Sequence, residues 1–164
     1  MKSMEELFHA LLQDVYYAEK QLLKALPKLA KKSSSGELAK AFTDHQAQTE
    51  GHVRRLEQVF EMIGKKPKGK KCDAIIGIVA EGDEVMKEAK DEAVRDAGIL
   101  AAAQAAEHYE IARYGTLCEW AKTLGLNEAK NVLGKTLNEE KAADELLTSI
   151  AEGGVNESAI REAA

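Results

Sequence analysis

The spacing of helix breakers limits what this chain can fold into more than any other feature. They cluster at Ser33-Ser34-Ser35-Gly36, at Gly64 and the lysine-rich run behind it, at Gly125, and at Gly153-Gly154. Between the clusters Ala, Leu, Glu and Lys recur at the helical period, and no stretch alternates as a strand does. The expected fold is therefore all-α. The spacing predicts a first helix from an N-cap at Ser3, with Glu6 completing a capping box, to about Lys32. Pro27 removes a backbone donor and is expected to bend that helix or end its regular ladder near Leu26. Further helices are expected over about Glu37 to Ile63, Glu92 to Leu124 and Glu128 to Glu152. A smaller amphipathic helix, N-capped by Asp73 and reaching Lys90, falls in the connection between the second and third. Residues 1–152 then form one domain, and 153–164 a poorly ordered or loosely docked tail.

Connection lengths select a topology. Short turns make the first and second helices antiparallel, and likewise the third and fourth. The connection from Lys65 to Asp91 is long enough to traverse a bundle, so the second and third helices can run parallel. The expected architecture is a ferritin-like antiparallel four-helix bundle with one long crossover containing a short fifth helix. A plain up-down bundle, with the crossover segment counted as a full helix, is the alternative.

The buried stripe of each long helix carries the chemical information. Spaced four and three apart, the stripes read Phe8, Leu12, Val15, Glu19, Leu22, Leu26; Leu38, Phe42, His45, Thr49, His52, Leu56; Leu100, Ala103, Glu107, Glu110, Tyr114, Leu117; and Leu133, Thr136, Glu140, Ala143, Leu147. Each is apolar at both ends and polar or ionisable in the middle. An unpaired buried carboxylate costs several kcal/mol or becomes neutral, so four such layers at one level need a common compensating charge. Two divalent metal ions, Fe or Mn, would supply it. Plainer readings stay open residue by residue. Glu107 and Glu110 alone can line a solvated face, His45 or His52 alone can be a hydrogen-bonded core histidine, and Glu140 lies among Glu139, Lys141, Asp144 and Glu145. Tyr114, one turn past Glu110, is the one tyrosine expected near the site.

Composition excludes other chemistries. A net charge of −5 disfavours nucleic acid and anionic lipid, and the cluster Lys65-Lys66-Pro67-Lys68-Gly69-Lys70-Lys71 lacks interleaved aromatics, so it reads as a solvated loop. Cys72 and Cys118 have no ligand spacing and suggest reduced thiols in a cytoplasmic protein. No apolar run approaches the roughly 20 residues that span a bilayer. Walker, nucleophile-elbow, zincin and C-x-x-C motifs are absent from the sequence.

The stretches Asp14-Val-Tyr-Tyr-Ala-Glu19-Lys-Gln-Leu, His45-Gln-Ala-Gln-Thr49, Ala102-Ala-Gln-Ala-Ala-Glu107-His-Tyr-Glu110-Ile-Ala-Arg-Tyr-Gly-Thr-Leu117 and Leu137-Asn-Glu-Glu140-Lys resemble the YciF and YciE group of bacterial ferritin-like proteins over nearly the whole chain. The resemblance implies a cytoplasmic homodimer with a dinuclear metal site, associated with stress response but without an established reaction; a small oxidant such as peroxide or oxygen is the partner expected of the metal pair itself. The resemblance carries metal-ligand roles to Glu19, His45, Glu107, Glu110 and Glu140. One departure stands out: the group usually has Glu where this chain has Gln48, and Gln where it has His52. Both positions are kept as candidate ligands, because the exchange either preserves a site of altered charge or removes one metal position. Glu50 can compensate only if the helix face rotates by a residue. Two functions of different class follow: a catalase-like or ferroxidase-like metalloprotein, and a non-catalytic dimeric bundle that binds a stress-related partner.

Overall fold

The computed structural model describes residues 1–161. Five main helices appear, α1 (Met4–Lys32), α2 (Gly36–Met62), α3 (Asp73–Glu88), α4 (Glu92–Thr123) and α5 (Asn127–Ile150), followed by a turn of π-helix at Ala151–Val155 and a short α6 (Asn156–Arg161). No strand occurs among the described residues.

Local chemistry sets the boundaries. Ser3 Oγ accepts from the Glu6 amide as expected, but the Glu6 carboxylate reaches back to the amide of Lys2 rather than that of Ser3. Ser35 and Asp91 cap α2 and α4, accepting from the Leu38 and Val94 amides. Asp73 is the first residue of α3 rather than its cap. Helices α2 and α4 end in Schellman turns at Gly64 and Gly125, whose φ values of 66° and 73° are ones a side chain rarely tolerates. There the amides of Lys65 and Leu126 close onto the carbonyls of Phe60 and Ala121 at 2.9 and 2.8 Å.

Helix α1 continues through Pro27 to Lys32, so the proline does not end it. The proline lies on the exposed face, where the carbonyl it deprives can meet water, while buried Leu22, Leu26 and Leu29 hold the opposite face in place. Past Gly153 the chain forms the π-helical turn and the short α6, which touches α4 without burying a residue of its own; residues 162–164 lie outside the described residues.

The four long helices form a ring in which α1 packs on α2, α2 on α5, α5 on α4 and α4 on α1. The crossover climbs the outside of α1. The Lys70 amide donates to the Gln13 carbonyl, Gly69 lies against the Tyr17 backbone, and α3 continues along α1 and α4. Helix α4 therefore starts beside the α1–α2 turn and runs parallel to α2. Asp96, 3% exposed, pins that junction by accepting from the Ser34 amide at 2.9 Å, the Ser34 hydroxyl at 2.6 Å and the Ser35 amide at 2.7 Å. Replacing Asp96 with alanine leaves these donors unmatched. The expected result is a loss of about 2–4 kcal/mol, read as a lower urea midpoint at unchanged slope.

The core is not continuous. One apolar cluster, including Leu22, Leu26, Leu38, Phe42, Leu100 and Ile150, fills the end near the α1–α2 turn, and another, including Phe8, Leu12, Leu56, Phe60, Leu117 and Leu133, fills the opposite end. A polar layer separates them.

Candidate metal centre

That layer holds buried Glu19, His45, Thr49, His52, Glu107, Glu110, Thr136 and Glu140. Helix α1 contributes Glu19, α2 contributes both histidines two turns apart, α4 contributes the Glu107 and Glu110 pair, and α5 contributes Glu140. Each lies mid-helix on the apolar stripe, so the packing that buries the leucines also drives these groups together.

They assemble into two overlapping sets. His45, Glu107, Glu110 and Glu140 form one and Glu19, His52 and Glu140 the other, with the ligand atoms of each set within 4.8 Å of one another. His45 Nε2 lies 3.3 Å from Glu107 and 3.5 Å from Glu140. His52 Nδ1 lies 2.9 Å from Glu140 and 3.4 Å from Glu19. These approaches are not aligned as hydrogen bonds. Glu19 Oε2, His45 Nε2, His52 Nδ1, Glu107 Oε2 and both carboxylate oxygens of Glu110 and of Glu140 are buried without a partner. Buried polar groups in native proteins are nearly always satisfied, so this many orphans facing one point indicate a missing partner. Four carboxylates would balance two divalent cations, and oxygen with imidazole donors suits Fe or Mn. The residues present fit such a pair of ions.

Outer contacts orient both rings. Gln48 Oε1 lies 3.1 Å from His45 Nδ1 and, as an acceptor, places the proton there, leaving the Nε2 lone pair facing inward. His52 is turned the other way: Nε2 meets Glu139 at 2.9 Å, and Nδ1 faces the carboxylates. Arg55 grips Glu139 with two nitrogens at 2.7 and 2.8 Å and donates to Thr136 at 3.1 Å. The Tyr114 hydroxyl donates to Glu19. Burial, with Glu19 next in importance, raises the pKa of Tyr114 well above the usual phenol range, so it remains a proton donor.

The structure therefore brings together six of the seven candidates. Gln48 is exposed and its Oε1 meets His45 at Nδ1, the ring nitrogen facing away from the carboxylates, so it supports His45 from outside. His52 is fully buried and faces the centre, and exposed Glu50 has no part in it. Sequence reasoning missed Glu139 as the partner of His52 and Arg55 as the partner of Glu139. The only trace was position, since Arg55 lies three residues past His52 and Glu139 precedes Glu140.

Without cations the layer must hold protons. Burial is the largest cause that raises the pKa values of Glu107, Glu110 and Glu140, with neighbouring carboxylates adding to it. For His52 burial acts to lower the pKa, but Glu140 and Glu19 outweigh it and push it up to about 10. All four groups bind protons more tightly folded than unfolded. Their stabilisation is complete below the unfolded values and is lost as pH rises through the folded ones. Metal-free protein is thus expected to melt at progressively lower temperature from about pH 5 to 9, each excess proton contributing about 1.4 kcal/mol per pH unit. Melting curves in chelator check this. Added metal should reverse the slope, because ligands must lose protons to bind it. A chelated protein that grows more stable toward pH 9 would contradict the assignment.

The class defined by this fold is the ferritin-like helical bundle with one crossover, carrying a buried His and Glu layer able to hold metal. The chain belongs to the family described as a domain of unknown function, DUF892, which it matches over residues 3–160. Protein YciF of Escherichia coli (strain K12) is 46% identical over 164 residues, covering 99% of each chain. The crystal structure of the E. coli stress protein YciF superposes with a TM-score of 0.91 at 46% identity, covering 95% of this chain and 99% of that one. YcfI from Rhodopseudomonas palustris gives 0.89 at 47% identity, covering 90% and 94%. A Xanthomonas campestris pv. campestris protein, 22% identical with a TM-score of 0.75, shares the fold. No helix among the described residues is long and apolar enough to cross a membrane.

Proposed function

We propose that this protein holds two Fe or Mn ions and uses them in redox chemistry on dioxygen or peroxide during stress. The observation that carries the reading is the group of unpartnered nitrogen and oxygen atoms converging from four helices in an otherwise apolar core. His45, Glu107 and Glu110 would hold one ion, Glu19 and His52 the other, and Glu140, common to both sets, would be shared. Bound metals of this kind supply one-electron steps that amino-acid side chains do not. The chain's own residues orient and protect. Gln48 and Glu139 fix the two imidazoles, Tyr114 keeps a proton beside Glu19, and the apolar clusters exclude bulk water above and below the layer. The name given to the E. coli relative, a stress protein, supports the setting.

Elemental analysis of untagged protein grown with iron and manganese tests the proposal, beside a variant carrying Glu107→Ala and Glu110→Ala. About two ions per chain, with at least the ion of the His45 set lost in the variant, is the expected result for a dinuclear carboxylate site. Metal absent from both proteins overturns it and favours the non-catalytic bundle, whose partner would then be sought by affinity capture.

A further inference from the structure

Two openings reach the His45 and Glu107 end of the layer, and their walls differ in kind. The first is a cleft between α2 and α5 that passes Asp44 and Gln48 and the small side chains Ala142 and Ala143. Asp44 and Gln48, both exposed, add hydrogen-bonding groups to a wall otherwise made by Phe42, Leu146, Leu147 and alanines. The second is a cavity beneath α3, walled by Leu22 and Leu26 of α1, Ile78 and Val79 of α3, and Ala103 and Ala106 of α4. Its only ionisable lining residue apart from His45 and Glu107 is Asp83, which lies 3.9 Å from Lys28 and is half-exposed.

Close packing keeps this cavity narrow. Helix α3 approaches α4 at glycines: a Cβ on Gly98 would meet Val85 Cγ1 at 2.4 Å, and one on buried Gly82 would meet Ala102 at 3.4 Å. The interior has room only for a very small molecule. Helical backbone pairs its own donors and acceptors, so a molecule passing from Asp83 to Glu107 meets almost nothing that can hydrogen-bond. Hydrogen peroxide would give up its hydrogen bonds to water on such a path without replacement, whereas dioxygen has none of comparable strength to lose. Apolar cavities of this kind stay dry and take up apolar gases such as xenon.

The geometry points to the cavity beneath α3 as a binding and delivery site for dioxygen, ending at His45 and Glu107, with polar solutes using the α2–α5 cleft instead. This rests on the dinuclear reading for what dioxygen meets, but the cavity can be tested without metal. In metal-free crystals pressurised with xenon, a peak is expected among Leu26, Val79 and Ala103, and it should vanish in Ala103→Leu, whose added carbons occupy the space. In Fe(II)-loaded protein the same variant should slow iron oxidation by dioxygen by about tenfold or more, since overpacking obstructs the passage. Oxidation by added hydrogen peroxide should stay near the wild-type rate. If Ala103→Leu does not fold, Ala25→Leu fills the cavity from α1. No xenon in the wild-type cavity, no slowing with dioxygen, or equal slowing with both oxidants overturns the proposal. Xenon bound to a protein that takes up no metal would uphold the gas site while overturning both delivery and the dinuclear reading.

Discussion

Replacing Glu140 with alanine is expected to remove both metal ions from the purified protein, whereas Glu19→Ala should remove only one. Among the described residues Glu140 is the one carboxylate common to both sets, near His45 on one side and near His52 on the other. Its loss deprives each position of a ligand and takes one negative charge from four that would face two dications. Glu19 belongs to the His52 set alone. Metal analysis of the two variants, with calorimetric titration of the stripped proteins, measures the difference. Retention of about two ions by Glu140→Ala would show that the positions do not share a ligand.

A second substitution should change sign with metal. Glu110 is fully buried and neither carboxylate oxygen has a partner. In chelator, Glu110→Leu exchanges a desolvated acid for an apolar side chain of similar volume, and a gain of about 1–4 kcal/mol is expected. That corresponds to several degrees in melting temperature, at about 2–4 °C per kcal/mol for a chain of this size. With metal present the order inverts, because an ion at a thousand times its dissociation constant stabilises wild type by about 4 kcal/mol and the variant lacks a ligand. Paired thermal melts with and without chelator read this. Were Glu110→Leu destabilising in both conditions, Glu110 would be a structural acid rather than a ligand.

The buried polar layer was legible because a helix stripe is a strict one-dimensional pattern. A Glu at position 19 or 110 interrupts a seam of Leu, Val and Tyr, and only burial explains that placement. Capping at Ser3 and termination at Gly64 and Gly125 were equally local. What the pattern could not supply was register between helices. Whether Arg55 meets Glu139 depends on how α2 slides and rotates against α5, and no spacing within either helix encodes it. Gln48 became a candidate through the resemblance and not through the stripe, which passes from His45 to Thr49, and the residue faces solvent and touches the ring from outside. Pro27 shows the opposite case, where the packing of neighbouring leucines outweighs a local preference for ending the helix.

The division of the core into two apolar ends also bears on cooperativity. Each end has its own hydrophobic cluster, and between them lie groups that repel one another when ionised. In the metal-free chain the ends are coupled mainly through continuous helix backbone, so each can open on its own, and amides flanking the layer should exchange with solvent faster than those at either end. Ions bound at the layer would tie all four helices at their midpoints and make the two ends unfold as one unit.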